Sequence, residues 1–121
     1  MNIRAIKIDT ATQTAYFVEL PAGDSLPELY RHINCGTVAH FQITAMYGCF
    51  VDDEGLYNQH PGCWSLPGFA QTIAGNAIVC GTDGEGDSAG VDLEFLPWLL
   101  ARLRFHGPEA APEPFMAFIP S

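Results

Sequence analysis

The stretch from Ile78 to Phe105 constrains the fold most, because it joins a dense cluster of acids to the largest apolar block of the chain. It opens with a short apolar run, Ile78 to Gly81, which predicts a buried strand. An acidic, glycine-rich loop from Asp83 to Asp92 follows, and then a strongly apolar helix from about Glu94 to Phe105. The remaining sequence must cover the apolar surface of this helix.

The predicted C-terminal helix carries two apolar stripes where a surface helix needs only one. Leu96, Leu99, Leu100 and Leu103 form the first stripe. The second stripe must be covered either by the apolar C-terminal tail or by a second subunit in a homodimer. The residues that we assign to this interface are Phe95, Trp98 and Phe105 of the helix, and Phe115 and Phe118 of the tail.

Length and charge limit the class of protein. The 121 residues fit a single domain, which we place at 1–106, followed by a Pro-rich spacer and apolar tail at 107–121. The net charge of −9, from 14 acidic and 5 basic residues, argues against direct binding to nucleic acid or to an anionic membrane. It permits a basic protein partner, a cation, or mimicry of nucleic acid. Because no signal-peptide pattern and no long apolar run occurs, we expect a cytoplasmic protein.

Alternation and turn signals predict the other elements. Ile3 to Ile8 and Ala15 to Leu20 predict a β-hairpin with a four- or five-residue loop. Ser25 and Glu28 have the spacing of a capping box, which predicts a helix that ends near Gly36. Further elements are predicted at Val38 to Ala45, Met46 to Val51 and Asn76 to Gly81 as strands, and around Ser65 to Ile73 as a short helix.

These elements predict an α+β fold, with a mostly antiparallel sheet of about five strands and two or three helices packed on one face.

Acidic residues form two groups in the sequence. Asp52, Asp53 and Glu54 follow a predicted strand, and the loop from Asp83 to Glu94 has acids at positions 1, 3, 5 and 12 of a calcium-loop pattern. Its sixth position is Ser88, where a calcium loop requires glycine. If both groups lie at one end of the sheet, they form a negative surface for a basic partner. The alternative is that these acids only maintain solubility. The candidate acidic face consists of Asp52, Asp53, Glu54, Asp83, Glu85, Asp87, Asp92 and Glu94.

Two His-x-x-Cys pairs offer a second kind of site. His32 with Cys35, and His60 with Cys63, provide the two nitrogens and two sulfurs of a tetrahedral zinc site. The alternative is a solvated His32 and a loop His60 beside a buried thiol. Cys63 could also act as a nucleophile with His60 or His40 as base, but no third group orients such a pair. We therefore predict no catalytic residues, no enzymatic activity and no required cofactor.

Three pieces of the sequence occur in a fixed order: Ile6–Asp9 with Phe17–Pro21, then Val51–Leu56, and then Ile73–Asp83 leading into the C-terminal helix. This order resembles a small family of unknown function that is encoded in phages, plasmids and bacterial genomes. The likeness extends over roughly Ile3 to Arg104. The resemblance implies no catalytic residues, because the family has no established activity. The occurrence of this family on mobile elements implies an accessory protein that acts on host machinery, such as an inhibitor or a defence-evasion factor.

The combined expectation is a non-enzymatic, protein-binding accessory or inhibitor protein. Its partner is a protein, either basic or involved in handling nucleic acid. One alternative is a small zinc- or calcium-binding protein. Another is an acidic nucleic-acid mimic that acts on a DNA-binding host protein.

Overall fold

The computed structural model describes residues 2–21, 26–54, 60–68, 72–82 and 88–107. Within these ranges the chain forms nine strands and two helices. In chain order they are β1 (Asn2–Asp9), β2 (Thr14–Pro21), α1 (Leu26–Ile33), β3 (Val38–Gln42), β4 (Tyr47–Asp52), β5 (Cys63–Ser65), β6 (Ile73–Ala74), β7 (Ala77–Thr82), β8 (Ser88–Ala89), α2 (Phe95–Arg102) and β9 (Arg104–His106).

The predicted N-terminal hairpin is present. Strands β1 and β2 pair antiparallel, from Asn2 opposite Pro21 to Asp9 opposite Thr14. The Asp9 carboxylate accepts hydrogen bonds from the backbone N–H groups of Ala11 and Thr12, which shapes the turn. The four residues between the strands therefore form the loop that the sequence predicts.

The main sheet has the strand order β2-β1-β7-β4-β3, and every neighbouring pair is antiparallel. The two-residue strand β8 also pairs with β7. A smaller sheet has the order β6-β5-β9. The predicted fold class, α+β with a mostly antiparallel sheet of about five strands, is confirmed.

Side chains of the main sheet alternate between its faces and pack into two hydrophobic clusters. In β7, Ala77 and Val79 belong to one cluster, and Ile78 and Cys80 belong to the other. The first, the α2-side cluster, contains Ile6, Ile8, Tyr47, Cys49, Val51, Trp64, Leu66, Ala77, Val79, Val91, Phe95, Leu99 and Leu103. The second, the α1-side cluster, contains Ala5, Leu20, Leu29, Ile33, Ile78 and Cys80.

The two helices pack on opposite faces of the main sheet, where the sequence predicted one face. Leu29 and Ile33, which are four residues apart on one face of α1, bring this helix onto the α1-side cluster. Phe95 and Leu99 bring α2 onto the α2-side cluster. The reason is that the central strand β7 is apolar on both sides, so each face needs its own cover.

The C-terminal helix is shorter than predicted. It ends at Arg102, and Leu103 has extended backbone angles. Phe105 therefore lies in β9, opposite the fully buried Trp64 of β5. Ser65 and Ile73, where a short helix was predicted, lie in strands, and residues 69–71 between them are outside the described residues. In the described part of the chain, no helix is long and apolar enough to cross a membrane.

The Asn76 side chain ties three segments together at one end of the main sheet. Its carbonyl oxygen accepts hydrogen bonds from the backbone N–H of Thr10 at 2.9 Å and from the Thr10 hydroxyl at 3.0 Å. Its amide nitrogen donates to the backbone carbonyl of His32 at 3.3 Å. One side chain thus holds the hairpin turn and the last turn of α1 against the start of β7.

Asn76→Ala should lower the free energy of unfolding by about 2–4 kcal/mol, because it leaves buried polar groups of Thr10 and His32 without partners. Asn2→Ala is the matched control, since Asn2 is exposed and its amide donates to the exposed Glu19 at 3.4 Å. Urea unfolding of both variants measures the difference. Equal, small losses in the two variants would show that the Asn76 bonds do not hold these segments.

Candidate functional site

An open cavity of about 340 Å³ lies between the turn before β4 and the first turns of α2. Its volume is at the lower end of the range for ligand pockets in proteins. We call this cavity the Trp98 pocket. It is lined by Thr44, Met46, Tyr47, Asp92, Glu94, Phe95 and Trp98.

A hydroxyl-capped turn shapes one wall of the Trp98 pocket. The Thr44 hydroxyl oxygen accepts hydrogen bonds from the backbone N–H groups of Met46 at 3.2 Å and Tyr47 at 3.1 Å. This turn buries Tyr47 but leaves the Met46 side chain 64% exposed. Met46 therefore presents a flexible, polarizable surface to solvent at the edge of the cavity.

Tyr47 and Asp92 join the two walls through a reciprocal pair of hydrogen bonds. The Tyr47 hydroxyl donates to the Asp92 carboxylate at 2.9 Å and accepts from the Asp92 backbone N–H at 3.3 Å. Burial raises the pKa of Tyr47, and the adjacent Asp92 carboxylate raises it further. The phenol therefore stays protonated at neutral pH and fixes Asp92 at the rim of the pocket.

Three aromatic rings and one guanidinium form a column beside the pocket. The Tyr47 and Phe95 ring centroids are 4.2 Å apart, and Phe95 stacks on Trp98 at 5.2 Å. The Arg102 guanidinium lies 4.1 Å from the Trp98 ring centroid and also donates to the Trp98 carbonyl at 2.9 Å. Because Phe95 and Arg102 are one helical turn before and after Trp98, they hold its ring in place.

Among the described residues, the charged groups that line the Trp98 pocket are two carboxylates. Asp92 and Glu94 are exposed, and among the described residues neither forms an ion pair. Glu94 stands at the N-cap of α2, but its side chain makes no capping hydrogen bond. The pocket thus combines apolar walls with an uncompensated negative rim.

The candidate acidic face does not form one surface in the described residues. Asp53 and Glu54 are exposed just after the end of β4, whereas Asp92 contacts Tyr47 at its start. The two ends of this six-residue strand are about 16 Å apart at the usual rise per residue. Asp83, Glu85 and Asp87, and with them most of the calcium-like loop, lie outside the described residues.

Asp52 is a buried residue, paired with His60. The distance between its carboxylate and the Nε2 atom of His60 is 2.8 Å, and the side chains are 1% and 4% exposed. Gly75 allows this packing: its φ is +86°, and an added Cβ would lie 2.8 Å from the Nδ1 atom of His60. Sequence reasoning missed the pair, because no local pattern links a strand end to a loop histidine.

The residues proposed for catalysis and zinc binding lie on several elements, and Asp52 links two of them, because it pairs with His60 and its charge acts on Cys35. Cys63 is buried in β5, His32 and Cys35 flank the end of α1, and His40 is exposed on β3. Burial raises the pKa of the Cys35 thiol, and the charge of Asp52 raises it further, so this thiol is protonated at neutral pH. Among the described residues, no group of three or more His, Cys, Asp and Glu could hold a metal ion.

The predicted interface residues have different environments. Phe95 is 7% exposed and belongs to the α2-side cluster, whereas Trp98 is 36% exposed. Phe105 is half-buried in β9 and packs against the same cluster. Phe115 and Phe118 lie outside the described residues. Of the described part of the predicted interface, Trp98 offers the most surface to a partner.

Asp52→Ala should lower the free energy of unfolding by about 2–4 kcal/mol, because it leaves His60 buried without this partner. The neighbouring Asp53→Ala is the control, since Asp53 is exposed in the turn and should change stability by less than about 0.5 kcal/mol. Chemical denaturation compares the two. A small loss for Asp52→Ala would contradict a structural role for the pair.

Comparison with known proteins gives a family but no function. Neither the curated proteins nor the solved structures contain a match to this chain. The family described as "Domain of unknown function (DUF3846)" matches residues 3–103. The matched region runs from the first strand to Leu103, so it contains every residue that lines the Trp98 pocket. The chain therefore belongs to the DUF3846 family, a domain of unknown function.

Proposed function

We propose that this chain is a non-enzymatic accessory or inhibitor protein of phage or plasmid origin that binds a partner protein through the Trp98 pocket. The observation that carries the proposal is the exposure of Met46 and Trp98 at the rim of one apolar cavity. Exposed apolar surface around a concave site is typical of protein interaction sites. The phage or plasmid origin rests on the sequence resemblance alone.

The aromatic column supports a binding role. Tryptophan is enriched among the residues that contribute most of the free energy of protein binding. Here the stacking of Phe95 and Arg102 around Trp98 fixes the ring before any partner arrives. A preformed contact surface loses little conformational entropy on association, which favours affinity.

The charge of the chain favours a basic partner. The net charge of −9 repels nucleic acid and attracts cationic protein surfaces over long range. The described acids support protein binding better than mimicry of nucleic acid. Asp53 and Glu54 lie at one end of β4 and Asp92 at the other, whereas a mimic needs a continuous row of negative charge.

The chemistry of the buried groups supports a non-enzymatic role. His60 and Asp52 have the composition of a base and its orienting carboxylate, but both are almost fully buried and so are withdrawn from a substrate. The Cys35 thiol, whose pKa is raised, is a weak nucleophile at neutral pH.

The test is an affinity capture from a bacterial lysate with the tagged chain and three variants. We expect one partner protein, retained in stoichiometric amount by the wild type and lost with Trp98→Ala and Met46→Ser. Met46 is largely exposed, so its variant should remain folded. Tyr16→Ala is the control, because Tyr16 is an exposed aromatic residue on β2 and does not line the pocket.

Circular dichroism and thermal midpoints confirm that each variant is folded. Retention of the same partner by folded Trp98→Ala and Met46→Ser would contradict binding at this pocket. A loss with Tyr16→Ala of the same size would also contradict it.

A further inference from the structure

We infer that the Trp98 pocket recognises a lysine or arginine side chain of the partner, with the aliphatic stem against the apolar walls and the cationic head at Asp92 and Glu94. This inference rests on the proposed function and specifies the chemistry of the partner. It is carried by the shape, the lining and the charge balance of the pocket.

The walls suit a long aliphatic stem. Phe95, Trp98 and Met46 contribute apolar surface, and the cavity of about 340 Å³ is large enough for one extended side chain. Lysine and arginine bury their methylene groups along such surfaces while the charged head stays at the polar edge. The carboxylates at the rim of this pocket supply that edge.

The net charge at the rim of the pocket remains negative when the positive end of the α2 dipole is included. The N-terminus of a helix contributes about half a positive charge at most, and α2 is only two turns long. Asp92 and Glu94 together contribute two negative charges, and among the described residues neither is neutralised by an ion pair. A cation at the rim therefore gains a net attraction, which an anion or a neutral group does not.

Arg102 shows that the aromatic column already accommodates a cation. Its guanidinium lies over the Trp98 ring at 4.1 Å, within the usual range of a cation–π contact. Arg102 does not line the cavity, and it follows Trp98 by one helical turn, whereas the carboxylates precede Trp98. Its charge thus lies away from the position assigned to the partner's cation.

Arg4, another cation among the described residues, contacts Val91, the residue before Asp92, and forms no ion pair with the two carboxylates. Its guanidinium donates to the backbone carbonyl of Val91 and lies 5.5 Å from the centroid of the Phe17 ring. It forms no ion pair with Asp92 or Glu94 in the described structure.

The test uses a fluorescent peptide of alternating leucine and lysine, and two matched peptides in which norleucine or glutamate replaces lysine. Fluorescence polarisation should show binding of the lysine peptide only. The double variant Asp92→Asn with Glu94→Gln should weaken this binding about tenfold, the loss expected of two ion pairs. The hydrogen bond from Tyr47 remains possible, because the amide oxygen still accepts it.

The control variant also removes two negative charges, but at the other end of β4. Asp53→Asn with Glu54→Gln should change the dissociation constant by less than about twofold, since exposed charges at that distance are largely screened at physiological ionic strength. Equal losses of peptide affinity in the two double variants would show that the binding is non-specific electrostatic attraction, and would overturn the inference. So would binding of the norleucine peptide with the same affinity.

Different results would contradict the proposed function and the cation site. A partner captured through Trp98 and Met46 but retained by Asp92→Asn with Glu94→Gln would leave the proposed function standing and overturn the cation site. If light scattering shows a dimer that Met46→Ser dissociates, and the lysine peptide does not compete with it, a second copy occupies the pocket and the inference is overturned.

Discussion

The rest of the structure depends on the burial of strand β7 on both of its faces. Ala77, Ile78 and Val79 are fully buried, and β7 lies between β1 and β4 in the middle of the main sheet. Because successive side chains of a strand point to opposite faces, this one apolar segment requires two hydrophobic cores. One helix covers each of them. An amphipathic β7 would need only a single layer of helices, which is the arrangement that the sequence analysis predicted.

The Trp98 pocket follows from this two-sided arrangement. Helix α2 packs on its face through Phe95 and Leu99, while the chain that leads into it contacts the start of β4. The bonds between Tyr47 and Asp92 join these two segments across 45 residues of sequence. Trp98 lies on the flank of the helix, where neither sheet covers it completely, and Arg102 and Phe95 hold its ring. The fold therefore presents a stacked aromatic surface with an acidic rim.

Features that depend on neighbouring residues were predictable from the sequence, and those that depend on strand order were not. The hairpin follows from local alternation, and the buried positions Leu29 and Ile33 of α1 follow from helical spacing. In α2, helical spacing placed Phe95 and Trp98 in one stripe, but Phe95 is buried and Trp98 is exposed. Helical spacing alone does not show which stripe packs against the sheet. The pairing of Asp52 with His60 likewise depends on where separate elements end in space. Sequence reasoning singled out the acids and the two aromatic residues that α2 and the chain before it bring to the pocket, but it missed Thr44, Met46 and Tyr47 on the other wall.

The central claim is that Trp98, held by the aromatic column, is the contact point for a cationic partner. The most direct measurement is an NMR titration of the ¹⁵N-labelled chain with the leucine–lysine peptide, following the two indole N–H signals. The prediction is a saturable shift of the Trp98 signal and an unchanged Trp64 signal, because Trp64, in β5, is fully buried. Shifts of the Trp64 signal alone, or no shift of the Trp98 signal at saturating peptide, would contradict it.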